Sequence, residues 1–228
     1  MYSQPNTLPD ALRILEQSQP CVIAGGTDIY PALQNGRCPS AFLDVTRIAG
    51  FTDISQTDEG VRFGGAVTWT DVINAELPPA FDALKQAARQ VGSVQIQNSG
   101  TLVGNICNAS PAADGVPALL ALNASVELTS AARGTRVIPL SAFILGVRQT
   151  ALEADELATA IWVPKVPDGM GSAFEKLGAR RHLVISISMV AALISRDATG
   201  RIDEARIAVG ACSTVAQRLW TLEADLKG

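Results

Sequence analysis

Apolar positions recur along this chain with two different spacings, and the switches between them outline its elements. Leu8, Leu12 and Leu15 share one face of a short capped helix over residues 7–15. The apolar run Cys21-Val22-Ile23 predicts a buried strand over residues 20–24, and residues 41–45 predict another. Residues 61–67 alternate weakly, as a half-buried strand does, and Thr68 or Thr70 is placed to cap a helix running through Ile73. Phe81, Leu84, Ala88 and Val91 keep helical step, which predicts an amphipathic helix over residues 79–91. Residues 116–122 read as a further helix, and residues 125–129 and 135–138 pair as a hairpin around Ala132-Arg133-Gly134. Two prolines and a glycine within residues 163–169 mark a boundary. Beyond it, three strands (residues 172–177, 183–194 and 202–209) form an antiparallel meander, and residues 215–226 close as a helix with Leu219, Leu222 and Leu226 on one face.

Two glycine-rich patches stand out against this pattern. Ala24-Gly25-Gly26-Thr27-Asp28 follows the first buried strand directly, and Asn98-Ser99-Gly100-Thr101-Leu102-Val103-Gly104-Asn105 is followed by Ser110-Pro111 and Asp114. Glycines after a strand let backbone N–H groups converge on an anion with no Cβ in the way. Two such patches about 75 residues apart point to one long phosphate-bearing ligand held from two sides, and a diphosphate cofactor fits better than a small metabolite. Neither patch has the spacing of a P-loop or of the dinucleotide fingerprint. The first patch alone reads equally well as a tight turn with a capping Asp. In the second, Thr101 and Asn105 offer side-chain hydrogen bonds and Gly104 allows close backbone approach. Asp114 either caps the helix after it or meets a ribose hydroxyl. Lys176 falls in a strand, where a charge either faces solvent or reaches a cofactor or a partner.

Composition narrows the class. At 228 residues, 47% hydrophobic and 18% charged, the chain is an ordinary globular one, long enough for one large domain or two smaller ones. A formal net charge of −4 argues against a nucleic-acid binder. No apolar run reaches membrane-spanning length and the N-terminus carries no signal-peptide pattern, so a cytoplasmic location is expected. The four cysteines, Cys21, Cys38, Cys107 and Cys212, are scattered and form no CxxC pair, which reads as buried free thiols rather than a metal or iron–sulfur site. The single histidine, His182, beside Arg180 and Arg181, has no nucleophile placed near it by sequence.

Taken together, these motifs resemble the FAD-binding medium subunit of the molybdenum hydroxylases, the group that includes xanthine dehydrogenase and aerobic carbon monoxide dehydrogenase. The resemblance runs through nearly the whole chain. It is carried by Ala24–Asp28, by Asn98-x-Gly100-Thr101-x-x-Gly104-Asn105 with Ser110-Pro111-x-x-Asp114, by Thr150-Ala151-Leu152-x-x-Asp155-Glu156-Leu157, by Phe174-x-Lys176-Leu177-Gly178-x-Arg180-Arg181, and by residues 205–211. It implies an α+β fold: a two-subdomain FAD-binding domain of the vanillyl-alcohol-oxidase type over residues 1–166, then a small, truncated domain of a three-stranded antiparallel sheet plus helix over residues 167–228. It implies FAD as cofactor, with Ile23, Ala24, Gly25, Gly26, Thr27, Asp28 and Ile29, and Thr101, Gly104 and Asn105, at the diphosphate. Asp114 would then sit near the ribitol or ribose, and Ala158 and Lys176 match positions that lie near the flavin ring in some members. The partners implied are an iron–sulfur small subunit and a molybdopterin large subunit, with NAD⁺ or another acceptor taking the electrons. The other readings are a stand-alone flavin oxidase or reductase, and a flavin-free scaffold. Departures from the family pattern are Val103 where a glycine is usual, Gln97 where an arginine is common, and a chain that stops at Gly228 while members continue.

Overall fold

The computed structural model describes residues 1–33 and 39–228; Cys38 lies outside them. The chain opens with β1 (Tyr2–Ser3), α1 (Leu8–Ser18), β2 (Cys21–Ile23), α2 (Ile29–Leu33) and β3 (Phe42–Asp44), the strands forming a parallel sheet in the order β1-β3-β2. Helix α1 starts where the sequence places it because the Thr7 side chain accepts a hydrogen bond from the Asp10 N–H at 3.3 Å. Its buried Ala11, Leu12 and Leu15 lie on Leu43, Val45, Ile48 and Phe51, giving a small core of its own.

The second stretch contains β4 (Ile54–Thr57), β5 (Gly60–Gly64), α3 (Trp69–Asn74), α4 (Asp82–Gln90) entered through a 3₁₀ turn at Pro79–Phe81, α5 (Val94–Ser99), α6 (Leu102–Asn108) and α7 (Gly115–Ala121). It continues through β6 (Ser125–Ser130), β7 (Gly134–Pro139), α8 (Leu140–Phe143), β8 (Ile144–Gly146), β9 (Gln149–Thr150) and β10 (Glu156–Pro164). Five of these strands make an antiparallel sheet, β4-β5-β10-β6-β7, and β8–β9 is a separate hairpin. Thr68, not Thr70, caps α3, in a reciprocal box with Asp71. Helix α7 is buried on all sides, which is why it carries glycine, proline, valine, alanine and leucine and no charge.

The last stretch is β11 (Gly171–Leu177), β12 (Ser188–Arg196), β13 (Ile202–Gly210), β14 (Gln217–Arg218) and α9 (Trp220–Asp225). The expected meander is present, but the sheet has four strands rather than three, in the order β11-β12-β13-β14. The expected helix over residues 215–226 loses its first turn to β14 and begins at Trp220. The cause is Arg218. It pairs with the equally buried Glu223 (2.5 and 2.6 Å), donates to the Leu120 carbonyl and to Asn123, and lies over the Trp220 ring at 4.2 Å. An arginine spread over this many partners fixes its backbone in an extended path beside β13. One face of this sheet, with Phe174, Met189, Ala191 and Leu193, joins the same large core as α4, α7 and the five-stranded sheet. No helix among the described residues is long and apolar enough to cross a membrane.

Candidate functional site

The two glycine patches touch. A Cβ on Gly25 would lie 1.8 Å from the Ser99 carbonyl oxygen and 2.9 Å from the Gly100 Cα, so glycine is required here by the other patch's backbone. Gly26 next to it takes a left-handed φ of +69°. The second patch is pinned from behind: Thr68 and Thr101 form a β-bridge, Trp69 N–H donates to the Gly100 carbonyl (3.1 Å), and Leu102 N–H to the Val67 carbonyl (2.9 Å).

Thr101 then caps α6, its hydroxyl accepting from the Gly104 N–H at 3.0 Å. A Cβ on Gly104 would come within 2.6 Å of that hydroxyl, so this glycine keeps room for the cap. Val103 sits inside the first turn of α6, in the helical backbone that a β-branched residue tolerates, and it is buried.

Between the small N-terminal core and the large one lies a cavity of about 470 Å³, walled by both patches. Ala24, Gly25, Gly26, Thr27, Asp28, Ile29, Thr101, Gly104 and Asn105 line it, as does Ala158, at the β-bulge of β10. Apolar walls come from Val45, Phe51, Trp69, Val103, Leu152 and Leu157. Among the expected residues, Ile23 turns into the core instead. Asp114 and Lys176 also stay off the cavity wall: Lys176 Nζ donates to Asp114 Oδ2 at 2.7 Å, and Ser186 Oγ donates to Asp114 Oδ1 at 2.6 Å. Asp114 makes no capping bond to α7, and Lys176, whose side chain is 5% exposed, does not face solvent. The three described cysteines form no disulfide with one another and are not uniformly buried: Cys212 is exposed and Cys21 and Cys107 are half-buried.

Two observations bear on what the cavity holds. Among the described residues, the backbone N–H groups of Gly25, Gly26, Thr27 and Asp28 meet no protein acceptor. Asn105 Oδ1 is a buried acceptor with no partner, beside the ring of Trp69 and the Cα of Gly115, where a Cβ would stand 2.5 Å from that ring. A buried polar atom left open, as Asn105 Oδ1 is, is rare in folded proteins and marks a place for a ligand or water, whereas the N–H groups of residues 25–28 sit on a turn that runs from buried Gly26 to exposed Asp28 and are open to the cavity and to solvent. Open N–H donors in a glycine turn suit a diphosphate, an open side-chain acceptor suits a hydroxyl or ring N–H, and the apolar walls suit an aromatic ring system. The residues present therefore fit FAD.

Residues not expected at the cofactor complete the wall, Glu156 among them although it stands in one of the motifs that carry the resemblance. Glu156 is buried at its edge, with Arg136 bound to both of its oxygens (2.7 and 2.8 Å) and the Glu153 N–H donating at 3.0 Å. The hydrogen bond from Arg136 holds the Glu156 carboxyl below its ordinary range, against the opposing effect of burial. Asn108 lies one helical turn after Asn105, and that spacing is the signal that would have found it. Cys107 also lines the cavity, and burial pushes its thiol up to about 12.

Comparison with known proteins agrees with this geometry. The family described as the FAD binding domain in molybdopterin dehydrogenase matches residues 1–166. The nicotine 6-hydroxylase medium subunit of Paenarthrobacter nicotinovorans is 33% identical over all of this chain and 80% of its own length. The xanthine dehydrogenase FAD-binding subunit of Escherichia coli O157:H7 is 34% identical over 92% of this chain and 73% of its own. Among solved structures, a carbon monoxide dehydrogenase from Hydrogenophaga pseudoflava superposes with a TM-score of 0.91 at 28% identity, covering all of this chain and 79% of that one. The chain belongs to the family of FAD-binding domains of molybdopterin dehydrogenases. FAD is its cofactor, and its class is that of the medium, FAD-carrying subunits of oxidoreductases of the molybdenum hydroxylase type.

Proposed function

We propose that this chain is an electron-transfer subunit. It would stand between an iron–sulfur small subunit, which is supplied by a molybdopterin large subunit, and NAD⁺ or another final acceptor. When bound, FAD supplies the step from one-electron donors to a two-electron acceptor. The chain's own residues hold and shield it. The N–H groups of residues 25–28 take the diphosphate, Asn105 Oδ1 accepts from a hydroxyl or ring N–H, and Phe51, Trp69, Leu157 and Ala158 exclude water from the ring. We assign the FAD-binding part to residues 1–166, of the vanillyl-alcohol-oxidase type in two subdomains, and the remainder to residues 167–228.

The observation that carries this reading is the meeting of the two glycine patches at one cavity wall with donors and an acceptor left open. What the wall lacks favours electron transfer over a stand-alone oxidase. The titratable carboxylates lining the cavity, Asp28 and Glu156, are both already hydrogen-bonded, and the Cys107 thiol stays protonated at neutral pH. Among the described residues, Glu156 is held through both oxygens by Arg136, whereas Asp28 accepts from Asn108 through one oxygen and its side chain is 57% exposed.

The test is to titrate the flavin-free protein with FAD and with FMN, then to supply electron donors. Saturable binding of FAD well ahead of FMN is expected. Reduction of the bound flavin by the co-purified partner complex, and none by candidate organic substrates offered to the chain alone, would support the subunit reading. Oxidation of a purine or aldehyde by the isolated chain would overturn it.

A further inference from the structure

We infer that Arg148 is a binding residue for the diphosphate-bearing end of the ligand, an inference that rests on the FAD reading above. The starting point is an imbalance of charge. Among the described residues, the charged side chains lining the cavity are Asp28 and Glu156, both acidic, whereas a dinucleotide diphosphate brings negative charge of its own. Glu156 is balanced by Arg136. Among the described residues, the cation that Asp28 meets is Arg148, whose Nη1 stands 3.8 Å from its Oδ1.

The geometry holds Arg148 there deliberately. Its backbone occupies the left-handed region (φ 57°) at the turn between β8 and β9, and its N–H donates to the Ala109 carbonyl at 2.9 Å. Its Nη1 donates to the Asn108 carbonyl at 3.2 Å and to Asn108 Oδ1, while Asn108 Nδ2 donates to Asp28 Oδ1 at 2.8 Å. Asn108 thus bridges the acid of the first glycine patch to the arginine of the hairpin. A residue that served only this bridge would spend its guanidinium on it. Among the described residues, Nε and Nη2 donate to no protein acceptor, so three N–H donors of Arg148 remain unspent on a side chain that stands just outside the cavity lining, its Nη1 3.8 Å from the Asp28 carboxylate of the first patch. A planar cation with free donors next to an anion-binding turn matches a phosphate.

The experiment measures dissociation constants of FAD, ADP and riboflavin for the wild-type chain, R148Q and R148K, at low salt and at 0.5 M salt, with the thermal midpoint as a check on folding. R148Q is expected to weaken FAD and ADP about tenfold at low salt and to leave riboflavin, which has no phosphate, unchanged. That loss should shrink to about threefold at high salt, because a half-exposed charge is screened there. R148K, which keeps the charge on the same turn, should stay within about threefold of wild type. An equal loss for riboflavin, a loss indifferent to salt, or no loss for FAD would overturn the inference while leaving FAD binding intact. A wild-type chain that binds no FAD would overturn both this inference and the reading beneath it.

Discussion

At the scale of single residues, the neighbouring glycines of the first patch are irreplaceable for different reasons, and substitution should separate them. Gly25→Ala drives a Cβ into backbone that is itself held by hydrogen bonds from Trp69 and Leu102. A cost of more than about 4 kcal/mol is expected, with loss of the fold around the cavity. Gly26→Ala meets first the ring of Tyr30, which is 60% exposed and can swing away, so the main remaining cost is the left-handed backbone, about 1–2 kcal/mol. Urea denaturation of the two variants reads this difference directly. Glu156 gives a dependence on pH with a definite sign. Its carboxyl is held below the unfolded value of 4.5 by Arg136, so its contribution is complete above that pH and is lost as the pH falls through the lowered folded value. The urea midpoint should drop between pH 5 and pH 3, and E156Q should show a shallower drop over the same interval.

At the scale of elements, the Asp114–Lys176 pair joins the entrance of α7 to β11 and, through Ser186, to the segment before β12. Breaking a pair this buried leaves an uncompensated charge, so K176M should cost about 3–5 kcal/mol, and the double variant D114N/K176M should recover part of that. A chemical denaturation cycle on the four proteins checks it. The same pair shows where the sequence was legible and where it was not. Helices α1 and α4 and the β6–β7 hairpin were readable because caps, apolar step and turn residues all act within a few residues. The glycine patches were readable as unusual backbone, but that they touch was not, because the demand on Gly25 comes from the Ser99 carbonyl 74 residues away. Lys176 was not, because its partner is 62 residues away and nothing local distinguishes a buried lysine from a solvated one on a strand. Arg218 misled for a similar reason. Leu219, Leu222 and Leu226 kept helical spacing, but a buried contact to Glu223 and a carbonyl of α7 converted the first turn into β14.

At the scale of the whole molecule, the cavity lies on the seam between two cores, the small one under α1 and the large one that runs through to the C-terminal sheet. A ligand bound there belongs to both. Calorimetry should show two overlapping transitions without FAD and one at higher temperature with it. At a free concentration one hundred times the dissociation constant, FAD should add about 2.7 kcal/mol. A separate low-temperature transition that persists at saturating FAD would mean that the ligand does not bridge the cores. The contact between Gly25 and Ser99 has a further consequence, for timing. At typical synthesis rates the first patch leaves the ribosome roughly 4–15 s before the second, and closing so long a loop is among the later events of folding. During that interval the nascent chain carries half a cradle with no wall behind it. A cradle made of two patches so far apart in sequence is therefore expected to take up its cofactor after that loop has closed, and FAD added during refolding should leave the rate of the early folding phase unchanged.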